Sequence, residues 1–346
     1  MHSFIENRAA RLVGIAAGLV IIAAGLKLAA PILAPVTFAL FAIAIVWPLQ
    51  KTLQRVLPGV AALGITLVAT SLVLGAFGIM VSWGLAQVVQ WLIANTGRFQ
   101  LLYSRGTQLL EYYGVFIDGV IANRFDVSWI VGMLRVLSVQ LNGMVGFSLL
   151  VFIFLVLGLL EVRVFAQRLE ANGANTAATI GRIAAKFRRY LLIRTIASVL
   201  TGASIWVFTL YMGLELAVAW GVIGFALNFI PFIGPAIAMV LPMCLAIVQF
   251  ESVAVIVGIF AGLSVIQFII GSYLEPRLAG AALSISPFLV LFSVFFWSFL
   301  WGISGAFIGV PIVIALLTFA EANPSLRWIA ELLSGTEQSG ISSDAT

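Results

Sequence analysis

Charge is what this sequence has least of: 9% of its 346 residues are Asp, Glu, Lys or Arg, where a soluble domain carries about 25%. Hydrophobic residues make up 62%, so water is not the solvent for most of the chain. One cysteine, Cys244, leaves no disulfide framework and no cysteine metal cluster. One histidine, His2, leaves no base for Ser304, although Gly302-Ile303-Ser304-Gly305 matches the nucleophile motif of intramembrane serine proteases, which need such a base. There is no Gly-x-x-x-x-Gly-Lys-Ser/Thr, which excludes P-loop ATP hydrolysis, and no aspartate-rich motif for prenyl or phosphate-metal chemistry. The expectation is a protein that is not an enzyme, with no catalytic residue, no cofactor and no metal.

What is abundant is uncharged length. Segments free of Asp, Glu, Lys and Arg cover 28–50, 56–97, 136–160, 195–214, 216–250, 252–274 and 278–320, with a shorter one at 12–26. About 20 apolar residues carry a helix across a bilayer, whereas a barrel strand alternates in polarity over about ten residues. No such alternation occurs. The fold class is therefore all-α, a polytopic transmembrane helical protein of about eight membrane segments. Two runs, 216–250 and 278–320, exceed one span, and the first is too short for two. Each is either one bent helix or a re-entrant hairpin of two half-helices, and the two schemes put Glu275 and Arg277 on opposite faces.

The net charge of +5 is located rather than general. Seven of the 18 basic residues lie between Arg163 and Arg194, among them Lys186, Arg188 and Arg189. A basic stretch beside spans marks the cytoplasmic face, so nucleic acid is not an expected partner. Residues 1–59 read as an N-terminal transmembrane hairpin with a retained signal-anchor helix. Residues 60–140 read as a long transmembrane helix plus external amphipathic helices, and 141–194 as a transmembrane helix plus the basic cytoplasmic segment. Residues 195–320 form a transport core, and 321–346 a cytoplasmic tail, partly disordered. Both termini are expected in the cytoplasm.

Backbone breaks inside apolar runs carry the functional expectation. Asn228-Phe229-Ile230-Pro231-Phe232-Ile233-Gly234-Pro235 holds two prolines, each without an N–H. Broken backbone at membrane depth is tolerated where protein covers it or where it lines a watery cavity. Pro235 can also open a half-helix whose unpaired N–H groups face a solute. Phe307-Ile308-Gly309-Val310-Pro311 repeats the Phe-Ile-Gly and proline pattern 75 residues on from Phe232, and paired Gly/Pro interruptions point to a transporter's binding site. Asn228, Pro231, Gly234, Pro235, Gly305, Gly309 and Pro311 are the candidate substrate pathway. Glu275, Pro276 and Arg277 are the candidate gate or ion-coupling residues. No charge is visible deep inside a run, which favours a neutral or hydroxylated solute.

Asn228 to Pro235, Leu274-Glu275-Pro276-Arg277-Leu278 with Gly280, Ser286-Pro287-Phe288, Trp301-Gly302, Gly305 and Val310-Pro311 resemble, in order and spacing, the autoinducer-2 exporter family of bacterial transporters. Tyr190-Leu191-Leu192-Ile193-Arg194 with Gly202 is similar to it too. The resemblance implies a multi-pass homo-oligomer of the bacterial cytoplasmic membrane that exports autoinducer-2 or, in other members, exchanges sodium for protons. The expected partners are the lipid bilayer, a small-molecule or ion substrate and further copies of the chain. A membrane scaffold and a channel are the competing classes.

Overall fold

The computed structural model describes residues 2–101, 128–279 and 285–333. Part of the expected external amphipathic segment, Gly280 and the tail from 334 lie outside the described residues. Every regular element among them is a helix: α1 (His2–Leu28), α2 (Ala30–Leu53), α3 (Gly59–Ala94), α4 (Ser128–Asn172), α5 (Ala174–Tyr211), α6 (Ala217–Leu227) and α7 (Ile233–Gln249). There follow α8 (Val253–Gln267), a π-helical stretch (Phe268–Leu274), α9 (Glu275–Ala279), α10 (Pro287–Ala322) and α11 (Arg327–Leu333). Six of the described helical segments are long and apolar enough to cross a membrane, and α6, α7 and Val13–Leu28 are shorter apolar helices. Large apolar side chains such as Val60, Leu72 and Ile79 stand exposed along α3, as a lipid-facing surface requires. With 36 residues, α3 is about 54 Å long, well beyond the ~30 Å hydrocarbon core.

The chain forms two compact units. The first comprises Met1–Leu63, Gly146–Arg188 and Leu283–Thr346; the second, Gly64–Val145 and Arg189–Ala282.

In the first unit, α1 and α2 do not make the expected hairpin. One near-helical residue, Ala29 (φ −84°, ψ 2°), joins them. Ala29 N–H donates to the Gly25 carbonyl and Leu33 N–H to the Ala29 carbonyl, carrying the ladder through the junction. Pro31 sits in the first turn of α2, where its missing N–H costs nothing. The result is a bend.

The true reversal lies in α10. Trp301 (φ −124°, ψ 15°) and Gly302 (φ 63°, ψ −143°) leave helical geometry, and Gly302 occupies a left-handed region that favours glycine. A Cβ on Gly305 would lie 1.8 Å from the Trp297 carbonyl oxygen, and one on Gly309 would lie 2.8 Å from that of Ser293. Such pairs, flanking residue 301 symmetrically, meet only if 287–300 and 303–322 run antiparallel. The second overlong run is thus a helical hairpin, closed by glycines at which the backbones touch. The Trp301 indole N–H donates to the Leu26 carbonyl at 3.0 Å, and the Lys27 ammonium lies 3.9 Å from the Phe299 ring centre, so the hairpin tip is tied to the end of α1.

In the second unit α6 and α7 form another hairpin. With 11 and 17 residues they are about 16 and 25 Å long, too short to cross alone. Against α6, Gly202 of α5 packs backbone to backbone: a Cβ there would sit 2.7 Å from the Gly221 carbonyl oxygen. The core joins Trp91, Ile205, Trp220, Ile223, Leu245, Ala246, Ile259 and Leu263 from α3, α5, α6, α7 and α8.

Substitution of these glycines tests the packing. Gly305→Ala or Gly202→Ala places a methyl group against backbone, so each is expected to lower stability by about 1–3 kcal/mol. Gly64→Ala, whose Cβ meets nothing within 4 Å, is expected not to lower the melting temperature of the detergent-solubilised protein and, as a glycine inside a helix, to raise it slightly.

Candidate functional site

The first Gly/Pro break is the turn of the α6–α7 hairpin. Asn228 follows the last residue of α6, and α7 resumes at Ile233. Phe232 has φ 62° and ψ −55°, and the Ile233 N–H donates to the Pro231 carbonyl at 2.7 Å, the signature of a classic γ-turn, a rare and strained conformation. Gly234 has no alternative: a Cβ there would lie 1.8 Å from the Leu227 carbonyl oxygen.

The expectation of unpaired N–H groups at the start of α7 is corrected. Gly234 N–H donates to the Ile230 carbonyl and Ala236 N–H to the Phe232 carbonyl, while Pro235 has none to offer. The turn therefore consumes its own donors, and side chains from other helices supply what polarity faces the break.

Arg194 is the chief of these. It belongs to α5, is buried, and forms an ion pair through Nη1 with Glu275 Oε2 at 3.0 Å. The same nitrogen makes a longer hydrogen bond, 3.4 Å, to the Asn228 carbonyl, and Nε reaches the Tyr190 hydroxyl at 3.4 Å. One turn along α5, the Ser198 hydroxyl accepts from Asn228 Nδ2 at 3.2 Å. The buried Thr201 hydroxyl, a turn further, has no hydrogen-bond partner among the described residues.

Glu275 reaches this cluster because of the helix that carries it. Pro276 follows it and cannot donate to the carbonyl four residues back, which its ring would also crowd. The preceding turns, Phe268–Leu274, are π-helical, with Glu275 N–H donating to the Ile270 carbonyl. Such wide turns inside helices are rare and concentrate at functional sites. Upstream, Gln267 Nε2 donates to the Pro235 carbonyl at 3.3 Å. One span thereby touches both sides of the break.

The structure therefore brings together Asn228, Pro235, Arg194 and Glu275 with Tyr190, which the sequence named only within the family-like stretch Tyr190–Arg194, and adds Ser198 and Gln267, which the sequence did not single out. Arg194, read as part of a cytoplasmic basic segment, is a buried partner of Glu275. Lys186 and Arg188 stay with the first unit, pairing with Glu321 at 2.8 Å and donating to the Ala44 carbonyl at 2.8 Å. Arg189 lies beside them on α5. Arg277 is turned from the cluster, its guanidinium 3.9 Å from the Tyr273 ring centre. Gly305 and Gly309 close the α10 hairpin, and Pro311 is buried in its second half.

A multi-pass helical protein with broken hairpins and an ion pair at the turn of one of them has the architecture of a membrane transporter. The chain belongs to the AI-2E family of transporters, whose model matches residues 17–325. It is 28% identical over 321 residues to the AI-2 transport protein TqsA of Escherichia coli, covering 91% of this chain and 93% of that protein. Two proteins named "Putative transport protein" are also similar. The one from Haemophilus influenzae is 28% identical over 96% of this chain and 98% of its own length. The one from Borreliella burgdorferi is 32% identical over 57% of each chain.

Removing one member of a buried ion pair strands the other's charge at a cost of about 3–5 kcal/mol, whereas replacing both with apolar groups is often near neutral. Arg194→Met and Glu275→Met are each expected to destabilise strongly, and the double variant less than their sum. Thermal unfolding in detergent, read as a double-mutant cycle, checks this.

Proposed function

We propose that this protein is a secondary transporter of the bacterial cytoplasmic membrane that exports a small hydroxylated solute, of the kind for which the Escherichia coli relative is named. The observation that carries the reading is the Arg194–Glu275 pair held against Asn228 at the hairpin turn. Intramembrane ionisable groups are costly and mark solute or ion pathways. Asn228, with Pro231, Gly234 and Pro235 shaping the turn, recognises the solute by donor and acceptor groups. Glu275 couples a proton or cation to it, with Pro276 and Arg277 flanking. The α10 hairpin, closed by Gly305 and Gly309 with Pro311 in its second half, is the second broken element of the pathway. Release requires the α6–α7 hairpin to part from α5 and α8, which a pair of charges in a low dielectric resists until one is neutralised.

Sodium/proton antiport is the second reading, favoured by the carboxylate itself: Glu275 stands beside the break, paired with Arg194, and a carboxylate can take up either a proton or a cation. Assembly as a homo-oligomer, with both termini cytoplasmic, belongs to the same proposal.

Liposomes with the purified protein, screened for solute uptake under imposed proton and sodium gradients, test the reading. Saturable flux is expected, lowered about tenfold, the factor that corresponds to ~1.4 kcal/mol, by Asn228→Ala. Unsaturable conductance indicates a channel, and no flux of any solute a scaffold. For the topology, a cysteine replacing Arg277 in a chain lacking Cys244 is expected to label from the cytoplasmic side, since Glu275 pairs with Arg194, the last residue of the basic segment. Labelling only from outside contradicts that orientation.

A further inference from the structure

At the end of α6 opposite Asn228, a second polar cluster gathers around Glu215. The turn from α5 into α6 passes through Leu216 in left-handed geometry (φ 62°, ψ 28°). Glu215 N–H donates to Gln249 Oε1 at 2.8 Å, and Gln249 Nε2 donates to the Gly213 carbonyl at 2.7 Å, so the last residue of α7 is clasped to the start of the hairpin. The Trp220 indole N–H donates to the Glu215 carbonyl at 3.0 Å. The carboxylate accepts from the Trp91 indole N–H and pairs with Arg98 Nη1 at 3.6 Å. Glu215 thus joins three elements: the end of α3, the α5–α6 turn and the end of α7.

We propose that this clasp is a second gate, with Glu215 its positioning residue, set across the unit from the Arg194 cluster. The inference rests on the transport reading above. A carrier needs two closures that do not open together. Between the two polar clusters lies a buried apolar layer that includes Ile205, Ala246, Ile259 and Leu263. That layer and α6, about 16 Å long, separate the clusters. The two ends differ in strength as gates should. Arg194 is buried, whereas the Glu215 and Arg98 side chains are 44% and 49% exposed, so that ion pair adds little. The closure rests on the Trp91 hydrogen bond to a carboxylate and the paired bonds of Gln249, which water can replace when the hairpin base opens.

Gate opening is measurable without knowing the solute. In full-length protein lacking Cys244, Ala246→Cys puts a thiol in this buried apolar layer. Its reaction with a membrane-impermeant thiol reagent is followed in sealed vesicles of each orientation. E215A and W91F are each expected to accelerate labelling about tenfold or more from one face only, the factor given by ~1.4 kcal/mol lost from the closed state. E215Q, which keeps an acceptor for Trp91, is expected to fall between these and the parent. Unchanged labelling in both E215A and W91F overturns the gate, as does acceleration from both faces alike, which reports a loosened fold. Should E215A fail to fold, W91F decides alone. A one-sided effect stands even if the solute screen finds no substrate, so the two readings fail separately.

Discussion

A backbone amide or carbonyl in hydrocarbon must find a partner, and that requirement organises both units. Uncharged runs satisfy it by forming helices. Where the chain must turn back inside such a run, the partners have to come from the turn itself or from neighbouring helices. The α6–α7 hairpin does both: its γ-turn and first α7 turn bond internally, while the Asn228 and Pro235 carbonyls are taken by Arg194 and Gln267. Arg194 then needs a counter-charge, and Glu275 provides it. The ion pair is thus the consequence of breaking a helix in an apolar place.

The same chain of needs gives the site its capacity for change. Three elements meet at one guanidinium: α5 supplies it, the hairpin turn accepts from it, and the span ending in π-helical turns pairs with it. A buried pair with incomplete hydrogen bonding is strongly coupled but not deeply stable. A proton, a cation or a polar solute can therefore shift which partner Arg194 keeps. The glycine contacts between α5 and α6 act oppositely, holding the hairpin close against α5, so parting the two requires breaking this packing as well as the polar contacts at the turn.

Much of this was legible in the sequence. The uncharged runs marked the spans because a charge in lipid is expensive. The Gly/Pro cluster at Pro231–Pro235 marked the first break, where only glycine fits the Leu227 carbonyl; the second was expected at Phe307–Pro311 but lies at Trp301–Gly302, because Pro311 is accommodated within a helix whose close packing, not a turn, calls for Gly305 and Gly309. The bend at Ala29 was missed because Pro31, read as a hairpin signal, is also an ordinary first-turn residue of a helix. The pairing of Arg194 was not legible because it ends a basic cluster and its partner stands 81 positions away. Separation of that kind leaves no local pattern, and the same holds for Gln249 with Gly213 and for Trp91 with Glu215. Among 32 glycines, Gly202 stood out only through the family resemblance, and its role, a backbone contact with α6, had no local pattern.

The central claim is that the α6–α7 hairpin must move against α8 for transport to occur. Met239 of α7 and Ser264 of α8 touch, with Ser264 Oγ 3.2 Å from Met239 Sδ, and neither belongs to the site. With both replaced by cysteine in a chain lacking Cys244, a short reducible thiol cross-linker ties the two helices together. The account predicts that flux in liposomes collapses on linking and returns when the link is cleaved; linked protein that transports at the unlinked rate contradicts it.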